Sequence, residues 1–145
     1  MEHSNDMTIL HEIYQNARAG MDAVDMILPK TNDTGLIGDL SSQRTQYLDV
    51  AKKAAQQMLS SNEFPEDYNI FCKCALRTSI HFSTLLHTSP KHLAQLMING
   101  SKKGVDEINL LLARHKQAEP QATELANEYI TMEQNNMAKL NAYLS

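Results

Sequence analysis

The sequence predicts an all-α protein, and three observations carry that expectation. Its 145 residues include 17 Leu, 14 Ala and 8 Met against only 3 Val. Leu, Ala and Met lose little side-chain freedom in a helix, whereas β-branched residues lose more. The chain has 5 Gly and 4 Pro, too few for the closely spaced turns of a β-sandwich. Apolar residues also recur at spacings of three and four over long stretches, which is the period of a helix with one buried face.

Five segments follow from that period. The first runs from about Thr8 to Leu28, with Leu10, Ile13, Ala17, Met21, Val24 and Leu28 on one face. Asp6 or Thr8 is placed to cap its start, and Pro29 stops it. After the polar turn KTNDTG, the second segment runs from about Leu36 to Ser60. Its stripe is Leu40, Gln43 or Arg44, Tyr47, Ala51, Ala54 and Met58.

The third segment, about Glu66 to His87, is less one-sided, because Thr78, Ser79, Ser83 and Thr84 interrupt its apolar residues. The fourth has the clearest start in the chain. Ser89 is a capping residue and Pro90 occupies the first helical position, where its missing N–H costs nothing. It runs to about His115 along Leu93, Met97, Gly100, Gly104, Ile108 and Leu111. The fifth begins at Glu119-Pro120 and runs to Leu144, with Ala122, Ala126, Tyr129, Glu133, Asn136 and Leu140 on one face.

Length alone predicts a single domain over residues 1–145. Short turns make the first pair of helices and the last pair antiparallel hairpins. The third segment then either carries the chain along the length of the bundle or forms part of a five-helix array without special connectivity. Gly20, Gly100 and Gly104 each weaken a helix by about 1 kcal/mol relative to Ala. They are expected to mark close backbone approach, room for a large neighbour such as Phe82 or a Met, or a ligand pocket.

Several function classes are excluded. A net charge of −4 does not suit a nucleic-acid partner. With no long apolar run, no membrane span is expected. The stretch MEHSNDMTIL does not read as a secretory signal, so a cytoplasmic protein is expected. Cys72 and Cys74 point apart on a helix and are expected to be reduced and partly buried. There is no Gly-x-Ser-x-Gly, phosphate loop or dinucleotide fingerprint.

The stretches IYQNARAGMDAVDMILPKT, IHFSTLLHTSPKHLAQLMINGSKKGVDEI and EYITMEQNNMAKLNAYL, with the helix layout, resemble a ferritin-like four-helix bundle. More narrowly, they resemble small ferritin-like proteins of low-GC Gram-positive bacteria. The resemblance implies two antiparallel hairpins joined by a long helical crossover. In active members, one Glu from each of two helices and a Glu-x-x-His from each of the other two hold two metal ions.

This chain contains no Glu-x-x-His. The corresponding positions read Gln43 and Gln46 on the second helix, and Glu133 and Asn136 on the fifth. The first helix offers Ala17, Gly20 and Met21, and the fourth Gly100, Ser101 and Gly104. The resemblance therefore implies a degenerate metal site, with no cofactor and no catalytic residue expected. Either Glu133 or its neighbour Met132 is placed to face inward. His81, between Ile80 and Phe82, is the one histidine expected to be buried.

Two functions follow. The first is a non-catalytic bundle that binds a protein partner or forms a homodimer or larger homo-oligomer, since the helical stripes do not all fit one seam. The alternative is a redox or storage protein that binds iron or another divalent metal at an altered site.

Overall fold

The computed structural model describes the backbone of residues 2–145 and the side chains from residue 6 onward. The described residues are all-helical, with 84% of them in helices. In chain order the elements are α1 (Glu2–Ile27), a 3-10 turn (Leu28–Lys30), α2 (Thr34–Ser60), α3 (Ile70–Thr84), α4 (Pro90–Arg114), α5 (Pro120–Asn141) and a closing 3-10 turn (Ala142–Leu144).

Local chemistry sets most of these boundaries. Pro29 turns the end of α1 into a 3-10 turn. The Asp33 carboxylate caps α2 by accepting from Leu36 N at 2.9 Å. Ser89 caps α4 by accepting from His92 N, with Pro90 at the first helical position. Glu119 gives α5 no side-chain cap. Its backbone N–H instead donates to the Asp6 carboxylate at 2.7 Å, which places an anion at a helix N-terminus.

Three sequence expectations change here. Neither Asp6 nor Thr8 caps α1, which begins at Glu2, and Asp6 serves α5 from inside α1. The third helix spans Ile70–Thr84 and not Glu66 to His87, because Asn69 caps it by accepting from Phe71 N. Cys72 and Cys74 are exposed, not partly buried.

The four long helices pack as α1 on α2 and α4 on α5, with α1 also against α4 and α2 against α5. Polar contacts fix their directions. Lys53 donates to Glu128 at 2.6 Å and Tyr143 donates to Asp39 at 2.7 Å, so α2 and α5 run antiparallel. The segment from 61 to 69 runs along α1. His11 lies 3.5 Å from Glu63, Gln15 donates to the Glu66 carbonyl, and Tyr68 donates to Asp22. Ile80 and Thr84 of α3 are buried, and Ser83 bonds His92 at the start of α4. The chain thus returns from the end of α2 to the start of α4 across the outside of α1.

The core holds Ala17, Met21, Tyr47, Ala51, Met97, Gly104, Ile108 and Tyr129, as the helical period predicts. The glycines divide. A Cβ on Gly20 would lie 2.7 Å from the Tyr47 ring, and one on Gly104 would collide with the Tyr129 hydroxyl. These two leave room for large neighbours, but the neighbours are tyrosines. Phe82, the candidate from sequence, is 67% exposed. Gly100 makes no close approach, since a Cβ there meets nothing within 4 Å.

Two substitutions separate these roles. Gly104→Ala should displace Tyr129 and destabilise the fold by about 1–3 kcal/mol. Gly100→Ala should be neutral or stabilise by up to about 1 kcal/mol through helix propensity alone. Urea denaturation of the two variants checks both signs.

Candidate functional site

The centre of the helical array is built around one carboxylate. Glu133 of α5 is 2% exposed. Leaving a buried carboxylate unbonded would be costly, and three hydroxyls from three helices meet it. Tyr47 of α2 donates to Oε1 at 2.7 Å, Ser101 of α4 donates to Oε1 at 3.1 Å, and Tyr129 of α5 donates to Oε2 at 3.2 Å. Tyr47 and Ser101 also lie 3.4 Å apart, oxygen to oxygen.

The local sequence makes this possible. Glu133 and Tyr129 are one turn apart on α5 and share a face. Gly20 on α1 opens the space for the Tyr47 ring, and Gly104 on α4 opens the space for the end of Tyr129. The two mid-helix glycines and the two tyrosines therefore form one arrangement, in which each ring reaches the carboxylate through the gap its glycine leaves.

Burial pushes the Glu133 carboxyl above the usual range, and the donors from Tyr47, Ser101 and Tyr129 draw it partly back. Burial and then the Glu133 charge raise both tyrosines well above their ordinary value. Their hydroxyls therefore stay protonated and act as donors.

The remaining positions singled out from sequence divide by burial. Gln43 is buried, which decides between it and the half-exposed Arg44; Arg44 pairs outside with Asp25 at 2.6 Å. Asn136 is buried, Gln46 is half-buried, and Glu133 faces inward while Met132 is only partly buried. Both polar atoms of the Gln43 amide, the Gln46 oxygen and the Asn136 nitrogen make no hydrogen bond to protein. The amides thus do not bond one another as a polar layer would. His81 is exposed and is not part of the centre.

These residues do not suit a pair of divalent ions. Glu133 supplies one negative charge, and its oxygens are already engaged by three donors. Gln43, Gln46 and Asn136 are neutral and cannot offset metal charge. Among the described residues there is no group of three or more His, Cys, Asp or Glu side chains able to hold a metal ion.

A pocket of about 620 Å³ opens from this cluster toward α3. Tyr47, Ser101, Tyr129 and Glu133 line its inner end, and Leu76, Ser79 and Ile80 of α3 line its outer side. Glu12 of α1 and Glu107 of α4 stand against each other at its edge. Burial, then the facing Glu107, pushes the Glu12 carboxyl up to about 7.

Sequence reasoning read Tyr47, Ser101 and Tyr129 as plain seam residues. Their signal was the coincidence of seam tyrosines with mid-helix glycines on the facing helices. Glu12 and Glu107 gave no signal, because each looks like an ordinary solvated charge until α1 and α4 pack together. Compared with protein families, curated proteins and solved structures, the chain matches none of them.

The Glu12 carboxyl has a consequence for stability against pH. Its value rises from 4.5 in the unfolded chain to about 7 in the fold. The folded state binds the proton more tightly, so this contribution is complete below pH 4.5 and is lost as pH rises through about 7. Burial of Glu133 acts in the same direction. Glu12→Gln should match the parent near pH 4.5 and exceed it at pH 8, as read from urea midpoints across that range. An equal fall in both proteins would contradict this assignment.

Proposed function

We propose that this chain is a ferritin-like helical bundle that acts by binding and has no metal redox chemistry. One observation carries the reading: the central carboxylate, Glu133, is held by hydroxyls of Tyr47, Ser101 and Tyr129. The resemblance puts metal ligands of active relatives at these levels of the helices. Here glycines and tyrosines fill that space, and a single carboxylate provides the charge. The crossover along α1, which joins two antiparallel helix pairs, supports the ferritin-like part of the reading.

The surface that binds is the outer face of α3. Its inner face buries Ile80 and Thr84, yet its outer face is apolar as well. Phe71 is 81% exposed, and Phe82 lies three turns further along the same face. Leu85 and Leu86 extend the strip at 57% and 89% exposure. Several large apolar side chains exposed along one water-facing helix favour an interaction site. The helix fits a second copy of the chain, apolar face to apolar face, as in an isologous dimer.

Two measurements test this reading. Protein purified without chelator should carry well under one iron or manganese per chain, and added metal should leave its melting temperature unchanged. Two ions per chain would restore the redox or storage reading. Sedimentation should show a dimer that Phe82→Glu converts to a monomer with the same helix content. A parent protein that stays at 16.3 kDa at high concentration would remove α3 as a self-association surface.

A further inference from the structure

The pocket beneath α3 is distinct from the outer face of that helix, and its lining has a definite chemical character. Its volume of about 620 Å³ lies within the range of small-molecule sites. It is roofed by α3, walled by α1 and α4, and closed at its inner end by the Glu133 cluster. Gly100 widens it: the glycine is exposed to the pocket and has open space where a side chain would project.

Charge and apolar surface select the ligand class. Glu12 and Glu107 face one another at the edge of the pocket, and the charge of one raises the proton affinity of the other. Among the described residues, Lys103 is the one cation on the lining; it pairs with Glu107 and offsets the two carboxylates only in part. Its ammonium lies 4.0 Å from Glu107, and its side chain is 80% exposed to water. Two facing carboxylates are relieved by a cation placed between them.

The apolar part of the lining comes from Ala19, Ala23, Leu76, Ile80, Leu96 and Met97. Tyr68 also lines the pocket, while Tyr47 and Tyr129 close its inner end almost wholly buried. At the inner end, Glu133 Oε2 accepts one bond, from Tyr129, whereas Oε1 accepts two. Both oxygens are thus engaged, and the cluster closes the inner end of the pocket as a negatively charged wall.

We infer that the pocket between α1, α3 and α4 binds a small organic cation: an apolar or aromatic body carrying an ammonium group, with the ammonium at Glu12 and Glu107. An anion of the same shape meets like charge at both ends of the pocket. A neutral molecule of that shape gains the apolar walls but no charge pairing with Glu12 and Glu107. The inference stands independently of the docking surface, because Phe71 and Phe82 are not among the residues that line the pocket.

The test uses the full chain and three probes of one shape: naphthylmethylammonium, naphthylmethanol and naphthoate. The chain contains no Trp, so naphthalene fluorescence reads binding directly. The ammonium probe should bind at least about tenfold more tightly than the alcohol, a difference of about 1.4 kcal/mol, and naphthoate more weakly than either. Gly100→Leu, which fills the pocket from α4, should weaken the ammonium probe by at least about tenfold. Ser79→Phe, which fills it from α3, should do the same and guards against a folding defect in the first variant. The double variant Glu12→Gln, Glu107→Gln should bring the ammonium probe to the level of the alcohol. Phe82→Glu should leave binding intact, separating this site from the α3 outer face. Equal affinity for all three probes, no binding, or binding unchanged in folded Gly100→Leu and Ser79→Phe would overturn the inference.

Discussion

Glu133 is the constraint from which the centre of this protein follows. A carboxylate at 2% exposure must be bonded or neutralised, since an isolated buried charge costs several kcal/mol. Tyr47, Ser101 and Tyr129 meet that requirement from three helices. A long side chain that crosses from one helix to a carboxylate on another needs space, and that space comes from omitting side chains at Gly20 and Gly104. The helix-weakening glycines and the buried acid are two parts of one solution.

The solution ties the two helix pairs together. Tyr47 belongs to the α1–α2 pair, while Ser101 and Glu133 belong to the α4–α5 pair. Their bonds cross the seam between pairs, inside the apolar core. A polar cluster of this kind fixes the register of the helices as apolar packing alone does not. The crossover lies outside this seam. It contacts α1 through Glu63, Glu66 and Tyr68, so α3 covers the groove between α1 and α4 without entering the centre. The pocket is the space left between that cover and the cluster.

Much of the architecture was legible in the sequence, for identifiable reasons. The buried stripes of α1, α2, α4 and α5 follow the helical period closely, and Ser89-Pro90 marked the start of α4 to the residue. The helix ends set by distant partners were not legible. Asp6 looked like a cap for α1 because nothing local ties it to Glu119, 113 positions away. The start of α3 was misread because the segment from 61 to 69 is held by α1 and not by its own propensity. At the site, spacing left Glu133 level with Met132 and Gln43 level with Arg44, and only the packing of the helices decides for Glu133 and Gln43. The hydroxyl bonds were not legible, because tyrosine at a seam position has the same pattern whether its hydroxyl meets a carboxylate or water. Gly100 showed the same limit from the other side. A mid-helix glycine looks identical in sequence whether it admits a neighbouring side chain or borders open space.

The most direct measurement of the central claim is a crystal structure of the protein grown with manganese, with data collected at an energy where manganese scatters anomalously. The account predicts no anomalous peak beside Glu133, and the hydroxyls of Tyr47, Ser101 and Tyr129 within hydrogen-bond distance of its carboxylate. One or two peaks coordinated by Glu133, with the tyrosine hydroxyls turned away, would contradict it.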